Sequence, residues 1–315
     1  MKRKVLIAGA GQLGSRYLQG LSNVSEAMEI WVFDPSAESL ARAEQRWGEM
    51  QPDGTHDVVY VSDLESIPKQ VDLAIVATTA NFRVAVVAQI VSRAEVNYWI
   101  LEKVLAQSLP ALAELQRMLR TKHVWVNTPR HQWSLYRELR KFHCANVPIE
   151  ARFGGFQGLA SNAIHFIDFV CRWNGTKLTQ LDISDLKSEW FPAKRDGFYE
   201  VDGIIHATFA DGSTLELASH KENIGFECHI QMGQDHWQVF ESDGMARAGD
   251  GRIVKGASEY QSQLTAPTVN AIFADAPCGL PTLAESAQQH TLFLSTLLEH
   301  WNQHMSSKLE ELPIT

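Results

Sequence analysis

The segment Gly9-Ala10-Gly11-Gln12-Leu13-Gly14 limits what this chain can fold into more than any other. It follows the aliphatic run Lys4 to Ala8. It opens the stretch Gln12 to Ser22, where Leu13, Tyr17, Leu18 and Leu21 lie on one side of a helix. Strand, glycine-rich turn and helix, in that order, make a cradle for a dinucleotide pyrophosphate. The first glycine permits the tight turn, the second lets the backbone approach the phosphates, and the third allows close helix–strand packing. The helix N-terminus adds free N–H groups and a partial positive charge. Asp34, 20 residues beyond Gly14, ends a second strand, Glu29 to Phe33. A carboxylate there accepts hydrogen bonds from the adenosine ribose and repels a 2′-phosphate, and Pro35-Ser36 brings no adjacent arginine. NAD is therefore expected over NADP. The alternative is Asp34 as a simple turn residue before Pro35. Gly9, Gly11, Gln12, Leu13, Gly14 and Asp34 form the expected cofactor set.

The same grammar continues. Ser36 caps a helix at Ala37 to Trp47, and Val58 to Val61 is a third strand. Val71 to Ala77 is a continuous apolar strand of the kind buried on both faces of a parallel sheet. A helix with Val84, Val87, Ala88 and Val91 follows, then a strand at Trp99 to Leu101, a helix capped by Ser108 and ending at Leu119, and a strand at Val124 to Val126. Six βα alternations predict an open, doubly wound parallel sheet. After about Pro129 strands follow one another: Ile149 to Gly155, Leu178 to Trp190, Ile204 to Phe209, Thr214 to Ser219, Phe226 to Met232 and His236 to Glu241. Asp211-Gly212 signals a hairpin. Two helices, Ser161 to Trp173 and Leu283 to His304, interrupt them. The expected organisation is a dinucleotide-binding α/β domain at 1–128 and an α+β domain with a mostly antiparallel open sheet at 129–315. A length of 315 residues suits two domains.

The chemistry is expected at the carboxyl ends of the parallel strands, where ligands of such sheets lie. Thr78, Thr79 and Asn81 follow the fourth strand and either line the cofactor groove or form an ordinary loop. Glu102-Lys103 ends the fifth. A lysine there can stabilise a developing alkoxide, although by itself the pair reads as two surface charges. On the Ser161–Trp173 helix, Asn162, His165, Asp168 and Arg172 form one polar stripe on an otherwise apolar helix. That stripe is either an internal hydrogen-bond network or the wall of a cleft, with His165 as proton acceptor. Arg130 either contacts an anionic group of a substrate or ties the domains together.

These residues together resemble the Gfo/Idh/MocA oxidoreductases: GAGQLG, the strand-end Glu-Lys, and His-x-x-Asp on a helix. The resemblance spans the chain in length, domain order and terminal long helix. It implies a Rossmann domain, hydride transfer with NAD(P), and a sugar, cyclitol or related carbinol as substrate, with surface-polysaccharide metabolism as one setting. It carries the catalytic lysine onto Lys103 and the catalytic histidine onto His165. Beside it, Glu102 is expected in the cofactor set, and Asn162, Asp168 and Arg130 are expected as substrate-side residues. Three positions depart from the family pattern. Val104 replaces the proline after Glu-Lys, so a trans bond is expected after Lys103. Ser161 stands where the motif aspartate would be, and Arg83 where a histidine often follows the fourth strand. The rival reading is a dinucleotide-binding regulatory or scaffold protein of the same fold.

A net charge of −9 argues against a nucleic-acid partner. No apolar run reaches the roughly 18–20 residues of a membrane span. The basic start reads as a first strand, not a signal peptide. Four well-separated cysteines without CxxC suggest neither a metal site nor a disulfide framework, and so a reducing cytoplasm. The second sheet has few helices to cover it, which predicts face-to-face association into a homodimer or homotetramer.

Overall fold

The computed structural model describes residues 2–51, 54–156, 158–220 and 225–315. The chain forms two compact units. One is Met1–Ala106, Pro110–Asn127 and Glu259–Leu283, and the other is Gln107–Leu109, Thr128–Ser258 and Ala284–Thr315.

The first unit alternates β1 (Arg3–Ala8), α1 (Gln12–Leu21), β2 (Met28–Phe33), α2 (Ala37–Glu49), β3 (Asp57–Val61), β4 (Gln70–Val76), α3 (Ala80–Arg93), β5 (Glu95–Glu102), α4 (Leu109–Leu119) and β6 (His123–Asn127). Its six strands are parallel, in the order β3-β2-β1-β4-β5-β6. The order reverses between β1 and β4, which opens a crevice at their carboxyl ends. Leu73 to Val76 are wholly buried, as a strand covered on both faces requires. Val5, Ile7 and Ile75 share a core with Tyr17, Leu18 and Leu21 of α1. Burying each such aliphatic side chain stabilises the fold by about 1.5–3 kcal/mol. Ser36 caps α2, its side chain accepting from the Ser39 amide at 3.2 Å.

The second unit contains α5 (Ser134–Arg140), β7 (Ile149–Phe156), α6 (Leu159–Asn174), β8 (Leu178–Asp182), β9 (Leu186–Pro192), β10 (Tyr199–Phe209), β11 (Thr214–Ser219), β12 (Glu227–Met232), β13 (Asp235–Phe240), β14 (Met245–Ala248) and β15 (Ile253–Lys255). The nine-stranded sheet runs β15-β14-β13-β12-β7-β11-β10-β8, with β9 also on β10. Within this sheet only β7 and β11 pair in parallel among the described strands. The helix α6 packs on β10 and β11. The single strand expected at Leu178–Trp190 is two. The Asp182 carboxylate accepts from the Ser184 amide at 2.9 Å and turns the chain between them. β14 and β15, too short to show periodicity, were not anticipated.

The chain then returns to the first unit through α7 (Gln261–Phe273), while α8 (Leu283–His304) lies in the second from Ala284 onward. A division at 128/129 is thus crossed by residues 259–283. A Cβ on Gly20 of α1 would lie 2.5 Å from Thr265 Cβ, so α1 and α7 touch through a glycine. The sequence hid α7 because Pro267 lies inside it, where proline normally ends a helix.

All four cysteines are free thiols. No helix among the described residues is long and apolar enough to cross a membrane.

Candidate functional site

The glycine turn joins β1 to α1 at the switch point of the parallel sheet. Gly9 has φ +100°, and its Cβ position falls 3.1 Å from the Ala77 backbone. A Cβ on Gly14 would come within 1.7 Å of the Gly9 carbonyl oxygen. Nothing lies within 4 Å of the Gly11 Cβ position. Backbone contact therefore demands the first and third glycines, and the second leaves open space over the turn. Gly11 is the N-cap of α1 and supplies no side-chain cap, so Gln12 and Leu13 present helix-start amides outward. These features fit a bound pyrophosphate.

Asp34 reaches into this turn. Its Oδ2 accepts from the Ala10 amide at 2.7 Å and its Oδ1 from the Ser36 amide at 2.9 Å. The carboxylate thus braces two turns while keeping acceptor capacity on each oxygen. Arg46 of α2 was not foreseen. It donates to the Gln12 side-chain oxygen at 2.6 Å, to the Gln12 carbonyl at 3.3 Å and to Ser15 Oγ. Burial and the nearby Arg16 and Arg42 lower the Arg46 pKa. No local pattern could have indicated a contact across 34 residues.

After β4, Thr79 caps α3 by position, and its hydroxyl donates to Asn81 Oδ1 at 2.6 Å. Thr78 Oγ1 is buried without a hydrogen-bond partner. The Thr78 carbonyl accepts from Arg83.

Glu102 is buried at the end of β5. Tyr17 Oη and Asn127 Nδ2 each donate to its Oε1 at 2.6 Å, and Asn127 also donates to Gln261 of α7 at 2.7 Å. Burial raises the Glu102 pKa, opposed by Tyr17, Lys103, Arg83 and Asn127. Arg83 is fully enclosed and donates to the Val104 and Thr78 carbonyls. Burial brings its pKa down to about 10 against the pull of Glu102 and Tyr17. Lys103 is half-buried beside this network. The Lys103–Val104 peptide is cis, correcting the expectation of trans. Val104 is itself wholly buried and its carbonyl is held by Arg83.

In the second unit, α6 begins at Gly158 and ends at Gly175, both left-handed. Ser161, Asn162 and His165 are half-buried on one face, and Asp168 is fully buried. Thr128 Oγ1 donates to Asp168 Oδ2 at 2.7 Å and Gln289 Nε2 to its Oδ1 at 2.9 Å. Burial pushes the Asp168 carboxyl up to about 6. Thr128 and Gln289 thus anchor both oxygens of the buried carboxylate. The Glu200 carboxylate accepts from the Ala160 amide at 2.9 Å and the Ser161 amide at 3.3 Å, which caps α6 from β10. Arg130 pairs with Glu241 and lies over the rings of Trp133 and Phe166, so its charge is met within its own unit. Lys103 belongs to the first unit and His165 to the second. Among the described residues, no group of three or more His, Cys, Asp or Glu side chains is placed to hold a metal ion.

Residues 3–128 match the model of an oxidoreductase family with an NAD-binding Rossmann fold, Gfo/Idh/MocA. Comparison of the sequence with curated proteins finds no match. Among solved structures, UDP-N-acetylglucosamine 3-dehydrogenase from Acidithiobacillus ferrooxidans is 16% identical with a TM-score of 0.69, covering 94% of this chain and 96% of its own. Scyllo-inositol dehydrogenase from Lactobacillus casei, solved with NAD(H) and scyllo-inositol, is 14% identical with a TM-score of 0.65, at 94% and 96% coverage. Biliverdin reductase from Synechocystis, solved with biliverdin and NADP+, is 15% identical with a TM-score of 0.68, at 93% and 98%. These likenesses place the whole chain in one two-domain fold. The glycine turn, the strand order and the family match agree: residues 3–128 are similar to the NAD-binding Rossmann domain of the Gfo/Idh/MocA oxidoreductases.

Proposed function

We propose that the chain is an NAD-dependent oxidoreductase acting on a carbinol or carbonyl carbon of a sugar, cyclitol or sugar derivative. The observation that carries this is the open glycine turn braced by Asp34, on the sheet edge where Lys103 follows β5. Bound nicotinamide supplies or accepts the hydride. Lys103 polarises the reacting oxygen, and His165 takes or returns its proton. Asn162, one turn before His165 on α6, hydrogen-bonds a neighbouring hydroxyl. Asp34 sets the preference for NAD over NADP by repelling a 2′-phosphate. The solved relatives that act on a sugar nucleotide and on scyllo-inositol support the substrate class. The same reading makes the protein a cytoplasmic homodimer or homotetramer. The sheet face bearing His206, Glu216 and His229 is the association surface.

Turnover assays test it, with NAD+ and NADP+ against a panel of cyclitols, free sugars and UDP-sugars. Turnover abolished by Lys103→Ala or His165→Ala supports the proposal. Tight NADH binding with no turnover across the panel favours a dinucleotide-binding regulator instead.

A further inference from the structure

The polar stripe of α6 faces a second histidine that sequence reasoning did not single out. His131 lies in the short 3-10 turn Pro129–Gln132, which packs on α6. Its Nδ1 stands 4.0 Å from Asp168 Oδ2. At that distance the contact is electrostatic and one small rotation short of a hydrogen bond. The carboxylate is fixed on its other sides by Thr128 and by Gln289 of α8. Asp168 is fully buried, whereas the His131 side chain stays 14% exposed. A buried, doubly anchored carboxylate behind a partly exposed imidazole is the arrangement that orients a histidine for proton exchange. Gln289 Oε1 is buried beside this pair without a hydrogen-bond partner, which leaves the cluster one acceptor for a donor from outside it.

Other charges are accounted for. Arg130, next in the chain to His131, is paired with Glu241. Arg172 of α6 and Glu285 of α8 act on Asp168 with opposite sign and pair with each other at 3.2 Å. Asp168 lies three residues beyond His165, so the two side chains are neighbours along one face of α6.

We propose that His131, oriented by Asp168, is a second proton-exchanging histidine on the substrate face of α6, beside His165. The inference rests on the reading of that face as the substrate side. When a carbinol is oxidised, its C–H hydride goes to nicotinamide and its O–H proton to an imidazole nitrogen. In reduction an imidazolium returns that proton. His131, partly exposed and backed by the Asp168 carboxylate, passes the proton that His165 takes up on to solvent in oxidation, and returns one to His165 in reduction.

NMR titration of the imidazoles in the full-length protein tests the pair without any ligand. The His131 midpoint falls by about half a unit or more in Asp168→Asn. Should that variant fail to fold, linkage makes the reciprocal measurement equivalent: the Asp168 carboxyl titration moves up in His131→Asn. An unchanged midpoint in either experiment overturns the pair. With a substrate found by the panel above, His131→Asn displaces the pH profile of kcat/KM and lowers kcat about tenfold or more, with NADH affinity unchanged. A profile superimposable on the wild type overturns the catalytic role. If the panel finds no turnover, the proposed function fails, and the ligand-free titration still decides the His131–Asp168 pair.

Discussion

Asp34 Oδ2 accepts a 2.7 Å hydrogen bond from the Ala10 amide, so the residue that ends β2 holds the turn that ends β1. Being a turn brace and reading a ribose are compatible tasks for one carboxylate. Each oxygen carries one backbone bond and keeps a second acceptor position. Asp34→Ala removes the brace and the charge together. NADH affinity is expected to fall about tenfold, the value of one hydrogen bond to a charged group. NADPH affinity changes less, so the preference for NADH narrows. Quenching of tryptophan fluorescence measures both constants. Equal losses for the two cofactors would remove Asp34 from any role in discrimination.

Tyr17→Phe tests the network beneath Lys103. The lost hydroxyl is one of two donors to the buried Glu102 oxygen. An under-satisfied buried carboxylate costs about 1–3 kcal/mol. The midpoint of urea unfolding should move down accordingly, and turnover should fall because the residue next to Lys103 is less firmly held. An unchanged midpoint would mean that Glu102 relaxes toward Asn127 or Arg83 without penalty.

How far the sequence discloses these features follows from the range of the contacts involved. The glycine turn and the apolar β4 are local: each glycine answers to backbone within a few residues or on the adjoining strand. Strand order in the first unit follows from short βα connections. The Arg46–Gln12 contact, the caps that Glu200 places on α6 and the return of α7 to α1 join positions far apart in the chain. Periodicity carries no trace of them. Tyr17 was legible as part of an apolar helix face, and its hydroxyl finds Glu102 only once β5 lies beside β1's crevice partner, β4. The polar stripe on α6 was visible, but the full burial of Asp168 depends on Thr128 and Gln289, which no spacing connects.

Gly20 supplies a stability test with its own control. Its Cβ position lies 2.5 Å from Thr265 Cβ and 2.6 Å from the Ser262 carbonyl oxygen. Gly20→Ala should therefore force α1 and α7 apart and destabilise the first unit by about 1–3 kcal/mol. Gly48, near the end of α2, has nothing within 4 Å of its Cβ position. Gly48→Ala should stabilise by about 0.4–1 kcal/mol through the unfolded chain. Thermal or urea unfolding of both variants checks the pair. A harmless Gly20→Ala would show that residues 259–283 do not pack on α1.

Asp168 predicts a specific pH dependence of stability. Its carboxyl is pushed up from 3.8 to about 6 by burial, with Thr128, Gln289 and Arg172 opposing the shift. Below about pH 4 the folded and unfolded chains both hold this proton. Between about pH 4 and 6 the folded chain keeps it while the unfolded chain releases it. The folded state then binds more protons, so stability from this group is lost as pH rises through that window and is constant above it. At 1.36 kcal/mol per unit, a shift of about two units amounts to roughly 3 kcal/mol. Asp168→Asn cannot titrate and removes the dependence. The informative quantity is the unfolding free energy of the wild type minus that of Asp168→Asn, taken by urea denaturation at pH 4 and pH 7. Groups common to both proteins cancel in that difference. It should favour the wild type more at pH 4 than at pH 7, where the buried charge weighs against the wild type alone. A difference that is the same at both values would mean that Thr128 and Gln289 offset the whole cost of burying the charge, and Asp168 would then titrate as an ordinary carboxylate.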